Sequence, residues 1–118
     1  MSAGRYDIKK LDRAATFSMK MIAKNDDGTY MELDGYTAKA AIKEHYDDVE
    51  VFLEFEATIP DPEHGEVLIA LTPEQTLTLV ECQYYYDVLL INGEYIMRLL
   101  DGTIQISPDV TQVGGESI

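Results

Sequence analysis

The sequence has little from which to build a covalent or metal-held scaffold. A single cysteine, Cys82, excludes a disulfide framework within the chain and any structural zinc site made of cysteines. Tryptophan is absent, and there are two histidines, His45 and His64. No apolar run approaches the ~20 residues that cross a bilayer as a helix. Positive charge is scarce: nine Lys and Arg stand against 22 Asp and Glu, a formal charge of −13. That balance argues against nucleic acid as a partner, because phosphate binding needs a basic face. It argues equally against an anionic membrane surface. The scarcity is greatest after residue 59, where Arg98 faces ten acidic groups. Residues 1–10 carry charge where a signal peptide needs an apolar stretch, so cytoplasmic synthesis with a reduced thiol is expected.

What is present suits one domain: 118 residues, 46% of them apolar, too many for global disorder. The acidity has two readings. It keeps a small protein soluble, or it makes the acidic half, residues 60–118, a face for basic partners.

Alternation at period two dominates. Phe17, Met19, Met21 and Ala23 share one side of residues 16–24, and Ala38, Ala40 and Ile42 one side of 37–44. Val51, Leu53 and Phe55 do so in 49–57, and Val67, Ile69 and Leu71 in 66–71. Each run reads as a half-buried strand. Residues 84–92 and 94–100 are more apolar, and the Asn92-Gly93 pair between them predicts a type I′ hairpin. A last strand, 103–107, ends at Pro108. Turns are expected at 25–29, 34–36, 60–65 and 101–102. Thr72-Pro73-Glu74-Gln75 is a capping-box start for one short helix near 73–80. Residues 1–15 are an N-terminal arm or first strand, with 9–15 open to a helical turn. Residues 16–110 are the domain, and 111–118 a flexible tail. Short strands, regular turns and one helix indicate an all-β antiparallel sandwich of about seven to eight strands, with a small barrel as the competitor.

Little of this sequence suggests catalysis. Cys82 has no basic neighbour to make a thiolate, so an inert role is expected. His45 and His64 are two potential metal ligands where a site needs three or four. Glu50, Glu54 and Glu56 share a strand face, but carboxylate pairs arise by chance among 22 acids. The Asp26-Asp27-Gly28 turn lacks calcium-loop spacing. No enzyme activity and no cofactor are expected. Aromatic and apolar residues carry the stronger signal. Of eight tyrosines, Tyr84, Tyr85 and Tyr86 run in series, so Tyr85 faces opposite to its neighbours. With Phe52, Leu89, Ile91, Ile96 and Leu100 at outward positions, Tyr85 predicts a protein interface. Arg5, Lys9, Lys10 and Arg13 are expected to dock on an acidic surface, such as the acidic half of a neighbouring copy.

The order of motifs is similar to a known family. Leu33-Asp34-Gly35-Tyr36-Thr37-Ala38, then Leu71-Thr72-Pro73-Glu74-Gln75-Thr76, then Tyr84 to Asp87, Arg98 to Gly102 and Ser107 to Thr111 succeed one another. This succession, over about residues 5–111, resembles the immunoglobulin-like β-sandwich domain of tailed-bacteriophage virion proteins, including the N-terminal domain of siphophage baseplate upper proteins. The resemblance implies a non-catalytic virion building block. It would be an adaptor joining tail or neck components and fibres, in fixed copies on a ring or as a homo-oligomer. A capsid decoration protein is the alternative, and a carbohydrate-binding module using Tyr85 or Tyr95 a further one. The implied partners are other virion proteins and the implied location is the virion.

Overall fold

The alternating runs pair into two sheets. The computed structural model describes residues 4–107, so the expectations for Pro108 and for the 111–118 tail lie outside the described residues. Within them the strands are β1 (Gly4–Arg5), β2 (Ile8–Asp12), β3 (Phe17–Ile22), β4 (Thr37–Lys43) and β5 (Leu53–Glu54). They continue as β6 (Glu56–Asp61), β7 (Glu66–Leu71), β8 (Gln83–Asn92) and β9 (Tyr95–Ser107). A 3₁₀ turn, Pro62–His64, follows β6, and helix α1 (Pro73–Leu77) links β7 to β8. The larger sheet runs β1-β9-β8-β4-β5, with β2 also on β9; the smaller is β3-β7-β6. No strand pair joins the two sheets among the described residues, so the architecture is an all-β sandwich and not a closed barrel. All pairs are antiparallel except β1 and β2, which run parallel to β9.

The connectivity is that of immunoglobulin-like sandwiches, β3-β7-β6 standing for strands B-E-D and β9-β8-β4 for G-F-C. No disulfide holds it. At the start of β8, the buried Tyr84 hydroxyl instead accepts the Glu81 backbone N–H at 3.0 Å, the tyrosine-corner arrangement of such folds. Between the sheets, rings of Phe17, Phe55 and Tyr86 follow one another at 6.2 Å centroid spacings. Val67, Ile69, Leu71, Val88, Leu90 and Ile104 are fully buried around them. Each such side chain contributes roughly 1.5–3 kcal/mol relative to exposure.

Several expectations need correction. Of the readings open for residues 1–15, β1 and β2 take the strand and 9–15 form no helix. Ile8 and Leu11 are three apart, which mimics a helical face, but a register shift between them in the β2–β9 pairing turns both inward. The 49–57 run is not one strand. Its pairing with β4 lasts for Leu53 and Glu54 only, and at Phe55 the chain crosses to the smaller sheet as β6, which extends to Asp61. Asn92 and Tyr95 are paired, so Gly93 and Glu94 are the loop residues. Gly93 has φ of 63°, and Glu94 is not in the positive-φ region: the turn follows the II′ pattern, not I′.

The Asp101-Gly102 pair is not a turn, because β9 runs through it for 13 residues. The glycine is there for another reason: a Cβ at Gly102 would overlap the Tyr6 carbonyl oxygen, where the β1–β2 segment crosses it. The helix matches its expected start. Thr72 accepts the Gln75 N–H at 3.2 Å, and Gln75 returns a bond to the Thr72 N–H at 2.9 Å. It ends at Leu77, sooner than residue 80.

Candidate functional site

The outer face of the larger sheet holds most of the residues expected at an interface. Buried Tyr84, Tyr86, Val88 and Leu90 point β8 inward at even positions, so Tyr85, Asp87, Leu89 and Ile91 point outward. Register then sets their neighbours. Ile91 lies opposite Ile96 on β9 and Thr37 on β4. Leu89 lies between Arg98 and Lys39, Asp87 between Asp101 and Ala41, and Tyr85 between Thr103 and Lys43. Arg5 of β1 continues the Asp87–Asp101 row. The face thus has an apolar end, where Ile96 is 61% exposed, and a polar end rich in cations.

The polar end is a depression of about 200 Å³ lined by Arg5, Lys43, Tyr46, Tyr85, Arg98 and the two aspartates, among others. Arg98 lies 3.8 Å from both Asp87 and Asp101, and Arg5 is 3.1 Å from Asp7. The Tyr46 ring meets Tyr85 edge-on at 5.9 Å. Beneath it, the Tyr86 hydroxyl donates to the Tyr6 carbonyl at 2.6 Å, and burial pushes the Tyr86 pKa well above the tyrosine range. Asp7 accepts both the backbone N–H and the hydroxyl of Thr103 at 3.1 Å. The backbone bond is the main reason its carboxyl stays below the ordinary range, with Arg5 and Lys9 adding to it. These bonds fasten the N-terminal strands onto β9.

Other expected interface residues lie elsewhere. Leu100 is not outward. A bulge after Val88 sets Leu89 opposite Arg98 and Val88 opposite Leu100, which turns Leu100 to the inner face against the core. Phe52 sets its ring 5.3 Å from that of inward-facing Tyr84. Lys9 and Lys10 are exposed on β2. Arg13 donates to the Leu77 carbonyl at 2.9 Å, holding the β2–β3 turn against α1. Residues 60–107 do not make one acidic face: β7 is central in the small sheet, and β8 and β9 are interior strands of the large one. Lys39, Lys43, Tyr46 and Arg98 were missed as face residues. Alternation marks the two lysines as outward, but their neighbours come only from strand register.

Each histidine meets a carboxylate three residues away, His45 with Asp48 at 3.4 Å and His64 with Asp61 at 2.9 Å. Glu44, His45 and Asp48 bring ligand atoms within 4.8 Å of one another and are the residues that could hold a metal ion. They sit on an exposed loop, and a zinc site would need a fourth ligand or water. Cys82 is exposed, and no helix among the described residues is long and apolar enough to cross a membrane.

No family model and no curated protein matches the chain. Among solved structures it is similar to a 1.4 Å crystal structure of an uncharacterized protein from Bacillus anthracis str. Ames. The identity is 12%, the TM-score 0.41, and the match covers 90% of this chain and 86% of that one. The fold assignment rests on the strand connectivity described above.

Proposed function

We propose that this protein is a non-catalytic structural protein of a bacteriophage virion, an adaptor that binds a tail, neck or fibre component through the outer face of its larger sheet. The observation that carries the binding role is the Leu89, Ile91 and Ile96 stripe, apolar on a face that a solitary sandwich would cover with polar residues. Lys39 and Arg98 flank Leu89 and suit a partner with carboxylates around an apolar centre. The virion setting is supported by the resemblance of the ordered motifs between residues 5 and 111 to virion β-sandwich domains. A sandwich braced by Asp7, Tyr84 and Tyr86 gives such a contact a stiff platform.

The test is protein mass spectrometry of purified phage particles separated into heads and tails. Recovery in tails at a fixed ratio to a ring component supports the adaptor. Recovery with heads makes it a decoration protein, and absence from both defeats the virion role. Ile96→Asp should leave folding intact and abolish incorporation into particles; normal incorporation would remove the outer face from the reading.

A further inference from the structure

The fold separates charge in a way that the linear halves do not. Strands β1 and β2 lie at one edge of the larger sheet and β5 at the other, while β3 and β6 are the two edges of the smaller sheet. Residues of β1 and β3 line a common groove, and only Phe55 separates β5 from β6. The sandwich therefore has one flank made of β1, β2 and β3 and another made of β5, β6 and the residues just before β5. Residues 4–24, on the first flank, carry six basic and two acidic side chains. Residues 49–61, on the second, carry four acidic side chains and no Lys or Arg.

Both sets reach solvent. Lys9, Lys10, Lys20 and Lys24 are exposed, as are Glu50, Glu54 and Glu56. Among the described residues, Lys9, Lys10 and Lys24 form no ion pair, and the carboxylates of 49–61 pair only with His64. A basic flank and an acidic flank on opposite sides of one molecule complement each other only between copies.

We propose that copies of this chain associate head to tail, the β1–β2–β3 flank of one against the β5–β6 flank of the next. A two-fold contact would set like charges together, so the interface is heterologous, and it closes into a ring or runs on as a filament. Net charge opposes it at long range. At about 0.1 M salt, repulsion beyond ~10 Å is screened while charges in contact still attract. Association should therefore peak at moderate ionic strength and fall on either side. This interface uses residues apart from the outer-face stripe and stands independently of the virion reading.

Sedimentation velocity of the purified chain over a range of concentration and salt tests it. The wild type should form species larger than the monomer at moderate salt. Lys9→Glu with Lys10→Glu should weaken this about tenfold or more, and so should Glu54→Lys with Glu56→Lys. Mixing the two double variants should restore association, because each retains the flank the other has lost. Circular dichroism on the same samples reports folding, and Ile96→Asp should associate like the wild type. A wild type monomeric at every salt overturns the proposal. So does association that survives both double variants, or a mixture that fails to recover.

Discussion

Gly102 shows how a residue can be placed by a neighbour far away in sequence. Nothing in its own backbone requires glycine, since its φ lies outside the positive region. The requirement is space for the Tyr6 carbonyl, which Tyr86 then holds by a hydrogen bond. Gly102→Ala should push the N-terminal strands off β9 and cost about 1–3 kcal/mol in urea unfolding, as overpacking does. An unchanged midpoint would show that the segment yields freely. Asp7 gives a pH dependence at the same junction. Thr103 holds its carboxyl below the ordinary value of 3.8, whereas the unfolded chain returns it there. The stabilisation is therefore complete above that value and is lost as pH falls through the lower folded pKa. Asp7→Asn should have a lower Tm than wild type at neutral pH, and the two should converge in acid. Equal Tm values at neutral pH would deny Asp7 this role.

At the scale of elements, the sequence was legible wherever burial alternates without interruption. β3, β4 and β7 lie where their period-two runs predicted, β8 lies on the apolar run 84–92, and the capping box at Thr72 begins α1. It was misread where an irregular register intervenes. The bulge in β9 moves Leu100 inward while leaving Ile96 outward, although plain alternation puts both on one face. A pair of substitutions separates the two accounts. Leu100→Ala should destabilise by about 1–2 kcal/mol, and Ile96→Ala by no more than about 0.5 kcal/mol. Similar effects at both sites would remove the bulge. The same mechanism left β2 open to a helical reading beside the strand, because Ile8 and Leu11 are spaced for a helix but sit on a shifted parallel ladder. Of the candidate site, Tyr85, Leu89, Ile91, Ile96 and the outward face of Lys39 were readable from alternation; the place of Lys39 and Arg98 on either side of Leu89 was not, because it comes from pairing of distant strands.

For the whole molecule, a charge of −13 with an acidic flank free of Lys and Arg is a source of self-repulsion. Raising salt from about 0.01 M to 0.15 M shortens the screening length from ~30 Å to ~8 Å and should raise Tm. A falling Tm would mean that favourable ion pairs outweigh the repulsion. By itself the sequence determined the sandwich class, the central strands, the helix start and the excess of carboxylates, because pleat alternation, capping and composition are local properties. Only the tertiary structure decided which outward residues adjoin, why Gly102 is glycine, and that basic and acidic segments occupy opposite flanks. Those follow from register shifts and from the crossing between sheets at Phe55, which depend on pairing between residues far apart in the chain.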